Sequence, residues 1–227
     1  MLLPLGDDNT KRTSFPIITL GLIVANLVAF FYEQQDADAV IAQYSIIPSL
    51  FFSGGQPITN IFTSMFLHGG WAHLLGNMLY LYIFGDNVED NLGKGKFLIF
   101  YLLCGVAAMF AQTLTSQEST IPFIGASGAI AGVLAGYIIL FPRNRVRVLV
   151  FFPFILTVRA WLVLGFWILL QLLSEWTLEH NVKAGMQSGG IAYMAHIGGF
   201  FAGVVLTLLL RRRSTPSGDT DAFGMTH

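Results

Sequence analysis

The sequence predicts an all-α membrane protein, a bundle of six transmembrane helices with both termini in the cytoplasm. Three observations predict it. Of 227 residues, 54% are hydrophobic and only 11% charged, with a mean hydropathy of +0.65. A soluble domain carries about 25% charged residues, so this surface belongs in lipid. Six runs are apolar and close to the roughly 17 to 25 residues that cross a bilayer: about 15–33, 71–88, 97–114, 126–141, 160–178 and 191–210. Laid across a membrane with the N-terminus inside, these runs leave Lys11, Arg12, Lys94, Lys96, Arg143, Arg145, Arg147, Arg159, Arg211, Arg212 and Arg213 on the inner side, and only Lys183 outside. That split is what the positive-inside rule requires, and adding or removing one crossing destroys it.

The elements follow in order. Residues 1–14 contain acids and a proline but no apolar h-region, so they are expected to form a cytoplasmic segment and not a cleaved signal peptide. Residues 15–213 form the six-helix membrane domain. Within it, 34–70 is too long and too apolar ("YSIIPSLFF", "ITNIFTSMFL") for a plain linker and predicts short helices lying in the outer interface. The stretch from Arg145 to Arg159 is about half a span long and predicts an interfacial hairpin on the inner side. Residues 214–227 are polar and predict a disordered cytoplasmic tail. No internal repeat and no second domain stand out.

Composition also excludes functions. A net charge of -1 argues against a nucleic-acid partner, which needs a basic excess. Cys104 is the sole cysteine, so no intrachain disulfide and no cysteine-based metal site can form. His68 and His73 are five apart, not the i, i+4 pair of a helical zinc site, and no H-E-x-x-H occurs. No metal and no cofactor are expected. His68 reads as an interface residue.

Ionisable or polar groups well inside a span are functional candidates by default. Here they are His73 and Asn77 in the second span, Ser127 opening the fourth and His196 in the sixth. Gln171 and Glu175 lie late in the fifth, where they are expected to reach water. At about 1.5 Å of rise per residue, Ser127 lies roughly 24 Å above Arg143, His196 roughly 22 Å above Arg211, and His73 roughly 20 Å above Asp86. In a hydrocarbon core about 30 Å thick, these share one level just below the outer face.

Small residues suggest lateral contact as well. Ser127, Ala131 and Ala135 recur every four residues beside Gly128, Gly132 and Gly136. Gly199 and Gly203 follow His196 on its own face. Such faces let membrane helices meet backbone to backbone, which would bring Ser127 and His196 together. Neutral imidazole can then take the hydroxyl proton and return it to a leaving amine. His73 and Asn77, one turn apart on one face, offer N–H donors to a developing oxyanion. No Asp or Glu shares the depth of His196, so the pattern is a dyad and not a triad. Each residue also has a plain reading: serine packs or bonds back one turn, Asn joins helices, and a buried His serves relay or metal binding. "GASGA" is not a nucleophile elbow, because its last position is Ala129 and no strand precedes it.

These motifs resemble the rhomboid intramembrane serine proteases. "GASG" (Gly125–Gly128) with its Gly-rich helix is similar to that family's nucleophile motif, and "AHIGGFFAG" (Ala195–Gly203) to its base helix. "HGGWAHLLGNMLYL" from His68 is similar to the second-span motif, and "GDNVEDNLG" to the helix end in which Glu89 and Gly93 are structural. The match runs from about residue 45 to 205. It implies Ser127 as nucleophile, His196 as general base, and Asn77, His73 and the Ser127 backbone N–H as oxyanion donors. Gly125, Gly128, Gly199, Gly203 and Glu89 are implied as supporting residues. It further implies single-pass transmembrane proteins as substrates, cut near the outer membrane face. The charge pattern suggests a prokaryotic plasma membrane and leaves an organellar one open. One position departs: some members stack an aromatic on the imidazole one turn after the nucleophile, and here that position is Ala131. The rivals are a non-catalytic rhomboid-like protein that binds membrane clients and a small proton-coupled transporter. The first usually lacks the Ser or the His, and the second needs acidic partners at mid-depth. Oligomeric state is open.

Overall fold

A computed structural model describes residues 3–10, 12–183 and 192–211. Strand β1 (Leu3–Asp7) leads into helix α1 (Ile17–Glu33). Three short helices follow, α2 (Ala37–Tyr44), α3 (Pro48–Phe52) and α4 (Asn60–Thr63), with a 3-10 turn at Ser64–Phe66. Helices α5 (Trp71–Leu92), α6 (Lys94–Thr115) and α7 (Ser127–Leu140) come next. A hairpin of β2 (Arg145–Phe151) and β3 (Phe154–Arg159) then leads to α8 (Ala160–Lys183) and α9 (Tyr193–Leu210). A helix occupies each of the six apolar runs, and the 34–70 segment is a set of short helices. The tail, 214–227, lies outside the described residues.

Among the described residues, three helices are long and apolar enough to cross a membrane: α6, α8 over Ala160–Thr177, and α9. That is fewer than the six crossings expected, and the reasons are local. Helix α5 carries Asp86, Glu89 and Asp90 in its last turns. Helices α1 and α7 are apolar but shorter, with 17 and 14 residues. At 14 residues α7 rises only about 21 Å.

Helix α7 is the axis of the bundle and packs on α5, α6, α8 and α9. Every residue from Gly128 to Tyr137 is buried, as expected for a helix that is apolar all round. Around it Phe30, Leu74, Leu81, Phe84, Phe100 and Tyr101 fill one core. The chain before α7 is irregular and pinned from outside: Phe123 exchanges backbone hydrogen bonds with Ile46, and Gly125 N–H donates to Ser64 O at 2.9 Å. The short helices of 37–66 thereby hold Ser127 at the recessed start of α7.

At the arginine-rich end, β1, β2 and β3 form an antiparallel sheet in that order. The N-terminal segment is therefore paired chain, a strand the sequence did not signal. Val146 and Val148 face inward while Arg145 and Arg147 are exposed. Asp7 ties the sheet to the bundle by accepting from Tyr137 OH at 2.5 Å and Asn87 Nδ2 at 2.8 Å. Burial pushes the Asp7 carboxyl up to about 6. Nearby, Arg12 pairs with Asp86 at 2.5 Å. Glu89 caps α1, whose own N-cap position is Pro16 and supplies no side-chain cap. Its carboxylate accepts from Ile18 N–H at 3.0 Å, Thr19 N–H at 2.7 Å and Thr19 OH at 2.8 Å. This satisfies donors that a helix start otherwise leaves orphaned.

Candidate active site

Helices α7 and α9 cross at glycines. A methyl added at Gly199 would fall on the carbonyl of Gly128, and one at Gly203 on the carbonyl of Gly132. The two small-residue faces read from the sequence do meet, at backbone contact. One consequence lies at the N-terminal ends of both helices: Ser127 Oγ is 2.9 Å from His196 Nε2.

The other ring nitrogen of His196 also has a partner. Nδ1 is 2.8 Å from Oε1 of Gln171 on α8. An amide oxygen only accepts, so Nδ1 carries the proton and Nε2 turns its lone pair to the Ser127 hydroxyl. One turn earlier on α8, Trp167 lies with its ring centroid 5.6 Å from the imidazole and tilted by 44°. Gln171, expected to reach water, is half-buried and turns its amide oxygen to His196. The sequence reading named Gln171 without this role and did not single out Trp167. Their i, i+4 spacing was visible, but the first half of α8, Ala160–Leu170, is apolar on every side and did not say which face turns inward.

On α5, Asn77 is buried and its Nδ2 has no hydrogen-bond partner. A buried amide donor left unpaired is costly, and here it stands ready for an acceptor. His73, one turn before, is exposed. Gly125 lies between His73 and Ser127: a Cβ there would sit 2.8 Å from His73 Nε2 and 3.7 Å from Ser127 Oγ. Its φ of +124° also favours glycine. The absent side chain leaves open the space that these polar atoms border. No side chain caps the start of α7, which leaves its first N–H groups without a side-chain acceptor.

His68 is fully buried, which corrects its reading as an interface residue. Its backbone N–H donates to Glu33 Oε2 at 2.9 Å, and its ring meets His73 edge-on at 5.0 Å. Among the described residues, no group of three His, Cys, Asp or Glu is placed to hold a metal ion.

The Rhomboid domain model matches residues 55–213, well over half of the chain. The chain belongs to the rhomboid family. Among curated relatives, it is 30% identical over 167 residues to Rhomboid-like protein 11, chloroplastic, of Arabidopsis thaliana, covering 70% of this chain and 55% of that one. To Rhomboid protease GluP of Bacillus subtilis it is 33% identical over 148 residues, covering 65% and 26%. To Rhomboid protease AarA of Providencia stuartii it is 30% identical over 143 residues, covering 54% and 50%. The chain spans about half the length, or less, of these relatives. As a rhomboid it is a helical integral membrane protein. Its Ser127, His196, Asn77 and His73 all fall inside the matched domain.

Proposed function

We propose that this rhomboid is an intramembrane serine endopeptidase. Its substrates are single-pass transmembrane proteins, cut near the outer membrane face. The observation that carries the reading is the 2.9 Å contact between the Ser127 hydroxyl and an imidazole nitrogen free to accept its proton. Two relatives bearing the name rhomboid protease support it.

In the reaction, Ser127 Oγ attacks the scissile carbonyl while His196 Nε2 takes the hydroxyl proton. The carbonyl oxygen becomes an oxyanion and accepts from the Ser127 backbone N–H, the Asn77 amide and His73. The C–N bond then breaks, and His196 gives its proton to the departing amine. This leaves an acyl group on Ser127. Water, deprotonated by His196, attacks the acyl carbon; the C–Oγ bond breaks, the product leaves as a carboxylic acid, and His196 returns the proton to Ser127 Oγ. The residues named suffice without metal or cofactor.

The membrane arrangement belongs to the same proposal. All six long helices cross, both termini are cytoplasmic, and α2 to α4 lie in the outer interface. The arginine-rich sheet then faces the cytoplasm. The charge split fits a prokaryotic plasma membrane, whereas family membership supplies the membrane and not the compartment, since one relative is named chloroplastic. Incubating a model single-span substrate in proteoliposomes with wild type, Ser127→Ala and His196→Ala tests the reading. Cleavage by wild type alone is expected, and equal cleavage by all three would end it.

A further inference from the structure

We infer that Gln171 is a positioning residue for His196, holding the imidazole in the tautomer and orientation that the Ser127 hydroxyl requires. The inference rests on the peptidase reading for its kinetic consequences, but not for its geometry.

A histidine facing a hydroxyl has two neutral tautomers, and only the one with a bare Nε2 can accept the proton. The hydrogen bond made by the second nitrogen selects between them. Here that bond is Nδ1–H to Gln171 Oε1 at 2.8 Å. Ala131, one turn after the serine, has no ring to stack on the imidazole. The aromatic neighbour comes instead from α8, as Trp167. One face of α8 thus supplies both restraints, an acceptor at Nδ1 and a ring beside the imidazole.

The choice of an amide has its own physical sense. A carboxylate in this position would stabilise the imidazolium more strongly, but a charge buried in lipid is expensive. A carboxamide fixes the tautomer with no net charge, and the helix remains insertable. The consequence for catalysis is that Gln171 orders the base while placing no net charge beside it.

The test compares wild type, Gln171→Leu and Gln171→Glu in nanodiscs by histidine-selective ¹⁵N NMR, with His196→Ala to assign the signal, alongside cleavage kinetics across pH. Wild type should show His196 with its proton on Nδ1. Gln171→Leu should lose that fixed tautomer and lower kcat by about 10–100-fold, the usual cost of a lost orienting partner, with KM nearly unchanged. In Gln171→Glu the opposite charge favours imidazolium, so the acid limb of kcat/KM should move up by about one to three pH units. Wild-type His196 carrying its proton on Nε2 would overturn the inference. So would a Gln171→Leu protein with wild-type tautomer and kcat. Should the wild type show the expected tautomer but cleave nothing, the peptidase reading falls and the orienting contact stands. If Gln171→Leu does not fold, the wild-type tautomer and the Gln171→Glu profile decide.

Discussion

Substituting Gly199 with alanine probes the contact on which the site's geometry depends. The added methyl would fall on the Gly128 carbonyl, which is backbone and cannot rotate away. Helices α7 and α9 must therefore separate, by about 1 Å or more to restore ordinary contact. Overpacking of this kind costs about 1–3 kcal/mol. The functional cost is larger. Ser127 leads the first helix and His196 lies three residues before Gly199 on the second, so the same separation acts on their 2.9 Å contact. Lengthening it by about 1 Å takes it beyond hydrogen-bond range, and a misplacement of about 1 Å can cost roughly 10²-fold in rate. Gly199→Ala should lose about two orders of magnitude in kcat against a fluorogenic single-span substrate, with a modest drop in Tm. Gly165→Ala is the control, because a Cβ there meets nothing within 4 Å. A Gly199→Ala protein with wild-type kcat and Tm would refute the reasoning.

Other predictions follow from the same contacts. Asn77→Ala should lower kcat by about 10²–10³-fold, the usual cost of one oxyanion donor. Its Tm should change little, since the amide donor has no partner in the resting fold. Glu89→Ala should lower Tm sharply, because it strips three donors of their acceptor at the start of α1, while Glu89→Gln keeps part of the cap. Asp7 sets a pH dependence. Burial raises its carboxyl from 3.8 to about 6, so the folded chain holds that proton more tightly than the unfolded one. Its stabilising contribution is full below pH 3.8 and disappears as pH rises through about 6. Thermal melts should show that decline in wild type, and Asp7→Asn should remove it.

Much of the candidate site was legible before any coordinates. Depth counted from the arginines put Ser127 and His196 at one level, and the glycine spacing gave their helices a reason to touch. Both inferences used properties that do not depend on which way a helix is rotated. Gln171 did depend on it. Helix α8 is apolar on every side from Ala160 to Leu170, so no periodicity there said which face turns Trp167 and Gln171 inward. His68 was misplaced for a related reason: it is held against Glu33 of α1 and His73 of α5, and a loop's burial is a tertiary fact. Strand β1 is five residues long and includes a proline and a glycine, and its partner β2 is more than a hundred residues away in sequence. The bounds of α7, Ser127–Leu140, by contrast lie within a residue of the apolar run at each end.

Covalent trapping reaches the central claim most directly. A fluorophosphonate probe should acquire a bond to one residue of the folded protein in bilayers, and peptide mass spectrometry should locate it on Ser127. Loss of the imidazole in His196→Ala should suppress the adduct strongly. Modification at a different serine, or equal labelling of Ser127 with and without His196, would contradict the account.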